Sequence, residues 1–315
     1  MDWGLTVGIL CALSWALLDL QRKALTARHP DPLTLAAVVP LLASAGALMY
    51  ALLRGAPIGP PPPSLYSLMF WIVVLNIVAN FLFLHSLTVG ELSKVIPLLS
   101  LTPVVGAVGG FFLFGEELSL GFWVGATLIA VGTFLLLFRK GSAGHGGLRR
   151  PSTVPGFRWV GMALFTVRAL VLQRGVPSMF GVVLLWGWIP AIDKQVITGG
   201  EYGLEAYLIW STALIGLPLL VERLIRKPQA LGGILRRSPW LLASLAPAAA
   251  AALGTQMESL VHLDVGVAEA LKRAGVVVTV LAGAIIFHEP QAFRRMPWIL
   301  LVVAGACLVA LSRTV

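Results

Sequence analysis

Residues 65–88 read LYSLMFWIVVLNIVANFLFLHSLT, twenty-four residues without an Asp, Glu, Lys or Arg. A helix of that length rises about 36 Å, enough to cross the hydrocarbon core of a bilayer. Working outward from it, apolar runs bounded by charges or by Pro and Gly recur near 4–21, 32–53, 91–114, 119–138, 177–197, 203–222, 239–262, 265–288 and 296–312. The pattern predicts an all-α membrane protein of ten transmembrane helices. Continuous runs of this kind do not suit a transmembrane β-barrel, whose strands are short and alternate in polarity.

Composition agrees. Of 315 residues, 58% are hydrophobic and 12% charged, with a mean hydropathy of +0.90, which a soluble domain cannot bury. The formal charge of +9 fits basic loops beside anionic lipid, so the bilayer and not nucleic acid is the expected partner. Met1, Asp2 and Trp3 precede the first run with no positive n-region, so that run reads as a retained span and not a cleaved signal. Cys11 and Cys307 fall inside apolar runs without metal-ligand spacing, and no metal, cofactor or disulfide is expected. There is no Ser/His/Asp constellation and no phosphate-binding Gly loop, which argues against an enzyme.

The chain divides at a Gly/Ser-rich, basic connection. Residues 1–138 form a first five-helix repeat, 139–176 a basic connection, and 177–315 a second repeat. Within the connection, 157–172 (FRWVGMALFTVRALVL) is too short to cross and is interrupted by Arg168, which suits an amphipathic helix lying in the interface. Trp15 and Lys23 stand eight apart, as do Trp186 and Lys194, and FGEE at 114–117 closes one span as FHEP at 287–290 closes another. Five spans per half is an odd number, so the second copy is inverted, the arrangement that opens one fold alternately to either side. Threading the spans puts 17 Lys and Arg on one side, Arg22, Lys23 and Arg223 among them, against 3 on the other. The positive-inside rule then places both termini outside the cytoplasm, in a bacterial-type inner membrane.

Polar residues at helix depth are costly, so each is a candidate for function. Glu269 precedes Lys272 by three and Arg273 by four, and Glu91 precedes Lys94 by three, so each set shares a helix face and can pair internally or line a cavity. Two cations against one Glu leave the second cluster net positive, suited to an anionic group. Asn80, Gln256, His262 and Trp186 join Lys272, Arg273, Glu269 and Lys94 as substrate-binding candidates. Asp19, Lys23, Asp193, Lys194, Glu91, Glu258 and His85 are candidates for coupling or gating. Pro97, Pro103 and Pro190 free backbone carbonyls and mark helices that bend.

At these residues the chain resembles the EamA branch of the drug/metabolite transporter superfamily. The resemblance runs end to end and is carried by SKVIPLLSLTPVVGAVGGFFLFGEELS at 93–119, RGVPSMFGVVLLWGWIPAIDK at 174–194 and EALKRAGVVVTVLAGAIIFHE at 269–289. It implies ten helices in two inverted five-helix repeats. The Lys272–Arg273 step also looks like the phosphate-binding basic pair of plastid triose-phosphate transporters. Leu99 stands where that family has a basic residue one turn before Pro103, which weakens a sugar-phosphate reading. Familiar members keep both termini in the cytoplasm, opposite to the Lys/Arg count here.

The function expected from these readings is secondary, alternating-access transport of a small polar or amphipathic metabolite, with an anionic or zwitterionic group bound between the repeats, by a monomer or homodimer. A flippase for a lipid-linked or phospho head group and an exporter of cationic drugs are the alternatives.

Overall fold

The computed structural model describes residues 3–29, 31–117, 119–138, 174–288 and 292–311, and the predicted interfacial helix at 157–172 lies outside them. The described residues are helical: α1 (Trp3–Arg28), α2 (Pro32–Arg54), α3 (Tyr66–Val89), α4 (Leu92–Val95), a 3-10 segment (Ile96–Leu101), α5 (Thr102–Phe114), α6 (Leu120–Phe138), α7 (Val176–Thr198), α8 (Leu204–Arg226), α9 (Pro228–Arg237), α10 (Pro239–His262), α11 (Val265–Ala274), α12 (Val276–Ile286) and α13 (Ala292–Leu311). Among the described residues, seven helical stretches are long and apolar enough to cross a membrane, and shorter apolar segments lie in α6 and α13.

The surface is the reverse of a soluble protein's. Leu53, Leu120 and Ile225 are 81%, 80% and 76% exposed, while Asp19, Arg22, Asp193, Glu269, Lys272 and Arg273 are all at or below 5%. Apolar side chains that face outward from a helical bundle have lipid as their natural solvent, and the polar groups collect where protein surrounds them. Helices pack in pairs, α2 along α8, α6 along α13, α1 along α10 and α3 along α7. Where α6 crosses α13, a Cβ on Gly125 would come within 2.6 Å of the Gly305 carbonyl oxygen, and one on Gly305 within 2.7 Å of that of Gly125. Only two glycines let the backbones approach so closely, the means by which apolar helices associate in lipid.

Four helices depart from the expected spans. The first was expected to end before Arg22 and Lys23, but α1 continues to Arg28. Arg22 lies 3.7 Å from Asp19 one turn earlier, and Lys23 Nζ donates to the Leu87 and Gly90 carbonyls at 2.8 and 3.1 Å, so neither charge forces the chain out into a loop. Arg223 is likewise buried in α8, paired with Glu222 and with Asp31 at 3.4 Å. The fourth run, expected as one span over 91–114, is broken by the 3-10 segment between Pro97 and Pro103, where missing N–H groups prevent regular α-helical bonding. The ninth, expected continuous over 265–288, is interrupted at Gly275, whose N–H bonds three residues back to Lys272 O at 3.3 Å.

Asp31 starts α2. Its Oδ1 accepts from the Leu33 and Thr34 N–H groups at 3.2 and 3.5 Å, Oδ2 accepts from the Thr34 hydroxyl at 2.9 Å, and Pro32 follows at the first helical position. Partial burial pushes its carboxyl up, but the Thr34 bonds and the Arg223 guanidinium outweigh this and hold it below the ordinary aspartate value. Asp31→Ala should therefore cost about 0.5–2 kcal/mol, the usual worth of a cap. Because the folded value is depressed, the cap's contribution is present above the unfolded value and lost as pH falls through the folded one. Melting of wild type and variant in detergent should converge on acidification; a constant gap down to pH 2 would show that Asp31 acts without its charge.

Candidate functional site

A cavity of about 80 Å³ lies inside the bundle. A single water needs roughly 10–15 Å³ on this measure, so the space holds several waters or a small solute. Its walls come from α1 (Trp15, Arg22), α3 (Asn76, Asn80), α7 (Trp186, Pro190, Asp193), α8 (Tyr207), α10 (Gln256) and α11 (Lys272, Arg273). The two halves of the chain thus contribute to one site.

Its most tightly bonded part is built around Glu269. The carboxylate is 1% exposed; Oε1 accepts from Lys272 Nζ and, at 3.2 Å, from Gln256 Nε2, and Oε2 lies 3.4 Å from Arg273 Nη2 and 3.2 Å from the Thr102 hydroxyl. Arg273 Nε donates to that same hydroxyl at 2.9 Å. Glu269, Lys272 and Arg273 are brought together by one helix face, as their spacing requires. Thr102 joins them because the helix break after the 3-10 segment directs it at α11.

A second part is aromatic. Trp15 and Trp186 meet edge-on with centroids 6.4 Å apart, and Phe83 lies 4.9 Å from Trp186. The Arg22 guanidinium sits over these rings, 5.3 Å from Trp15, 5.4 Å from Phe83 and 6.0 Å from Trp186, and Lys272 Nζ lies 5.1 Å from Trp15. Cations over aromatic faces are held by the ring quadrupole, an attraction that grows when water is excluded. Asp193, 4% exposed, accepts a hydrogen bond from the Tyr207 hydroxyl. Asn80 donates to Asn76 O at 2.9 Å.

Of the residues expected in the site, Lys272, Arg273, Glu269, Asn80, Gln256, Trp186, Asp193 and Asp19 are buried in this region. His262 and Glu258 are not: they pair with each other at 3.3 Å near the end of α10, side chains 41% and 40% exposed. His262, expected in the pocket, does not line the cavity, because the turn after Gln256 carries the helix away from it. His85 stacks on Phe81 beside a separate open depression formed with Arg174 and Ser178. Glu91 is exposed ahead of α4, and of Lys94 only the backbone is described.

Lys23 and Lys194 lie at opposite ends of α1. Lys194 Nζ is 2.8 Å from Glu116 and donates to Leu263 O at 3.1 Å, while the Leu263 side chain packs against Gly4 at the start of α1; Lys23, near the other end, bonds Leu87 O and Gly90 O. Both Glu116 oxygens accept from Val265 N–H, at 3.3 and 3.2 Å, so Glu116 also caps α11. Arg22, Tyr207, Thr102 and Glu116 were not singled out as site residues. Arg22 could have been, because the Trp15–Lys23 and Trp186–Lys194 repeat sets it opposite Asp193 as the charge before each lysine; no sequence signal marks Tyr207.

A multi-pass helical bundle that buries charged groups of both halves around one cavity has the build of a membrane transporter. Residues 2–138 match the model of the EamA-like transporter family. That match, the long apolar helices and their apolar outer surface are those of an integral, multi-pass membrane protein. A crystal structure is similar over 98% of this chain and 99% of its own, with a TM-score of 0.70 at 17% identity, a likeness of fold alone. No curated protein matches the chain.

Proposed function

We propose that the protein is a secondary transporter working by alternating access, with ten spans in two inverted five-helix copies. Its substrate is a small polar or amphipathic solute bearing an anionic or zwitterionic group, bound between the copies. The observation that carries this reading is the buried cavity in which Arg22, Lys272 and Arg273 meet Asp193.

Inverted copies are supported by packing and by local detail. Exchanging the halves turns the α1–α10 contact into the α7–α3 contact and leaves α2–α8 and α6–α13 unchanged. The helix break at Thr102 recurs at Gly275, and the left-handed turn at Gly115 with φ 67 recurs at His288 with φ 51. Lys23 bonding the Gly90 carbonyl has its counterpart in Lys194 bonding that of Leu263. The two lysines bond near opposite ends of α1, the helix that carries Trp15 and Arg22 into the cavity, and so stand where gates of an alternating-access cycle would act.

Thermal melting of the purified protein against amino acids, organic acids, organic phosphates, sugars, lipid head groups and cationic drugs tests the reading. A bound solute stabilises by mass action, about 2.7 kcal/mol at a hundred times its dissociation constant. A small zwitterion or anion should raise the melting temperature by several degrees. Stabilisation by cationic drugs or by lipid head groups alone would overturn the assignment.

A further inference from the structure

We infer that Arg22, with the indole N–H of Trp15 beside it, is the subsite that receives the oxyanion of the solute. This rests on the transport reading above and sharpens it, because Lys272 and Arg273 are the cations that the sequence brings forward first. Both of those are engaged: Lys272 bonds Glu269, and Arg273 bonds Glu269 and Thr102. Arg22 differs. It is 5% exposed and lines the cavity, yet its Nε and Nη1 have no hydrogen-bond partner among the described residues. Its acid, Asp19, lies at 3.7 Å, beyond hydrogen-bond reach, and Asp19 Oδ1 accepts no bond.

The surroundings complete a binding site. Trp15 Nε1, buried in the same wall, also lacks an acceptor, so three donor nitrogens on neighbouring side chains are unsatisfied. The rings of Trp15, Phe83 and Trp186 around the guanidinium hold it in place without consuming those donors. Buried donors of this kind require acceptors, and a carboxylate or phosphate supplies several oxygens with the complementary charge. Gln256 Oε1 lines the same cavity without a donor, so the solute should also carry an N–H or O–H group.

The test uses the full chain in detergent, with pyruvate, L-alanine and glycerol 3-phosphate as probes, and apparent affinities taken from melting shifts over a concentration series. In the wild type at least one probe should stabilise; stabilisation by pyruvate or alanine identifies a carboxylate, and by glycerol 3-phosphate alone a phosphate. Arg22→Gln should weaken that binding at least about tenfold, the worth of one charged hydrogen bond. Trp15→Phe, which keeps the ring and removes only the donor, should weaken it a few-fold, and Arg54→Gln on the surface should leave it unchanged. If Arg22→Gln does not yield a monodisperse protein, Arg22→Lys, which keeps the charge without the fork, carries the test and should also bind more weakly. Wild-type affinity in the Arg22 and Trp15 variants would overturn this subsite alone. Failure of every anionic probe to stabilise the wild type would overturn the anionic-solute reading with it.

Discussion

Replacing Glu269 by Gln should destabilise the folded protein by about 3–5 kcal/mol, the cost of breaking a buried ion pair by removing one partner. Glu269 is the common acceptor of Lys272, Arg273 and Gln256, with its side chain 1% exposed. The amide keeps the shape but withdraws the charge, leaving Lys272 and Arg273, both about 4% exposed in their side chains, without the carboxylate between them. In a chain of this size that corresponds to a fall of about 10 °C in melting temperature. Glu269→Gln combined with Lys272→Gln should be less destabilised than Glu269→Gln alone, since residues in contact do not act additively. A melting temperature within a degree of wild type would mean that the cluster contributes nothing to the fold.

Gly275→Val should also be damaging, for a steric reason. A Cβ at Gly275 would lie 2.2 Å from the Ala12 carbonyl oxygen and 2.9 Å from its carbon, and backbone atoms have no rotamer in which to retreat. The added group must push α1 away from the α11–α12 junction, and overpacking of this kind costs about 1–3 kcal/mol, with valine above alanine. The damage reaches the cavity directly, because Trp15 and Arg22 ride on α1 while Lys272 and Arg273 immediately precede the glycine. Gly232→Ala in α9, where the new methyl meets nothing within 4 Å, should be neutral or slightly stabilising. Equal yields and melting temperatures for the Gly232 and Gly275 variants would refute the close α1 contact.

Much of this architecture was legible from the chain itself. Apolar runs such as 65–88 announce spans because length against bilayer thickness is a one-dimensional property. The set Glu269, Lys272 and Arg273 was legible too, since a helix places residues three and four apart on one face whatever surrounds it. What periodicity could not convey is which buried charge has its hydrogen bonds filled by the bundle. Arg22 reads as the end of a span, and its burial under Trp15, Phe83 and Trp186 depends on α3 and α7 packing against α1. Thr102 reaches Glu269 across 167 positions of sequence only after the 3-10 segment has broken its helix. His262 looked like a pocket residue, yet the direction of α10 leaves it exposed. The sequence by itself determined a lipid-facing helical bundle and its local charge pairs, because hydropathy and helical spacing act along the chain. The tertiary structure alone decided that Lys272 and Arg273 are hydrogen-bonded within the bundle while Arg22, ion-paired with Asp19 and set among aromatic rings, keeps Nε and Nη1 without a hydrogen-bond acceptor, because hydrogen-bond satisfaction depends on partners supplied by other helices.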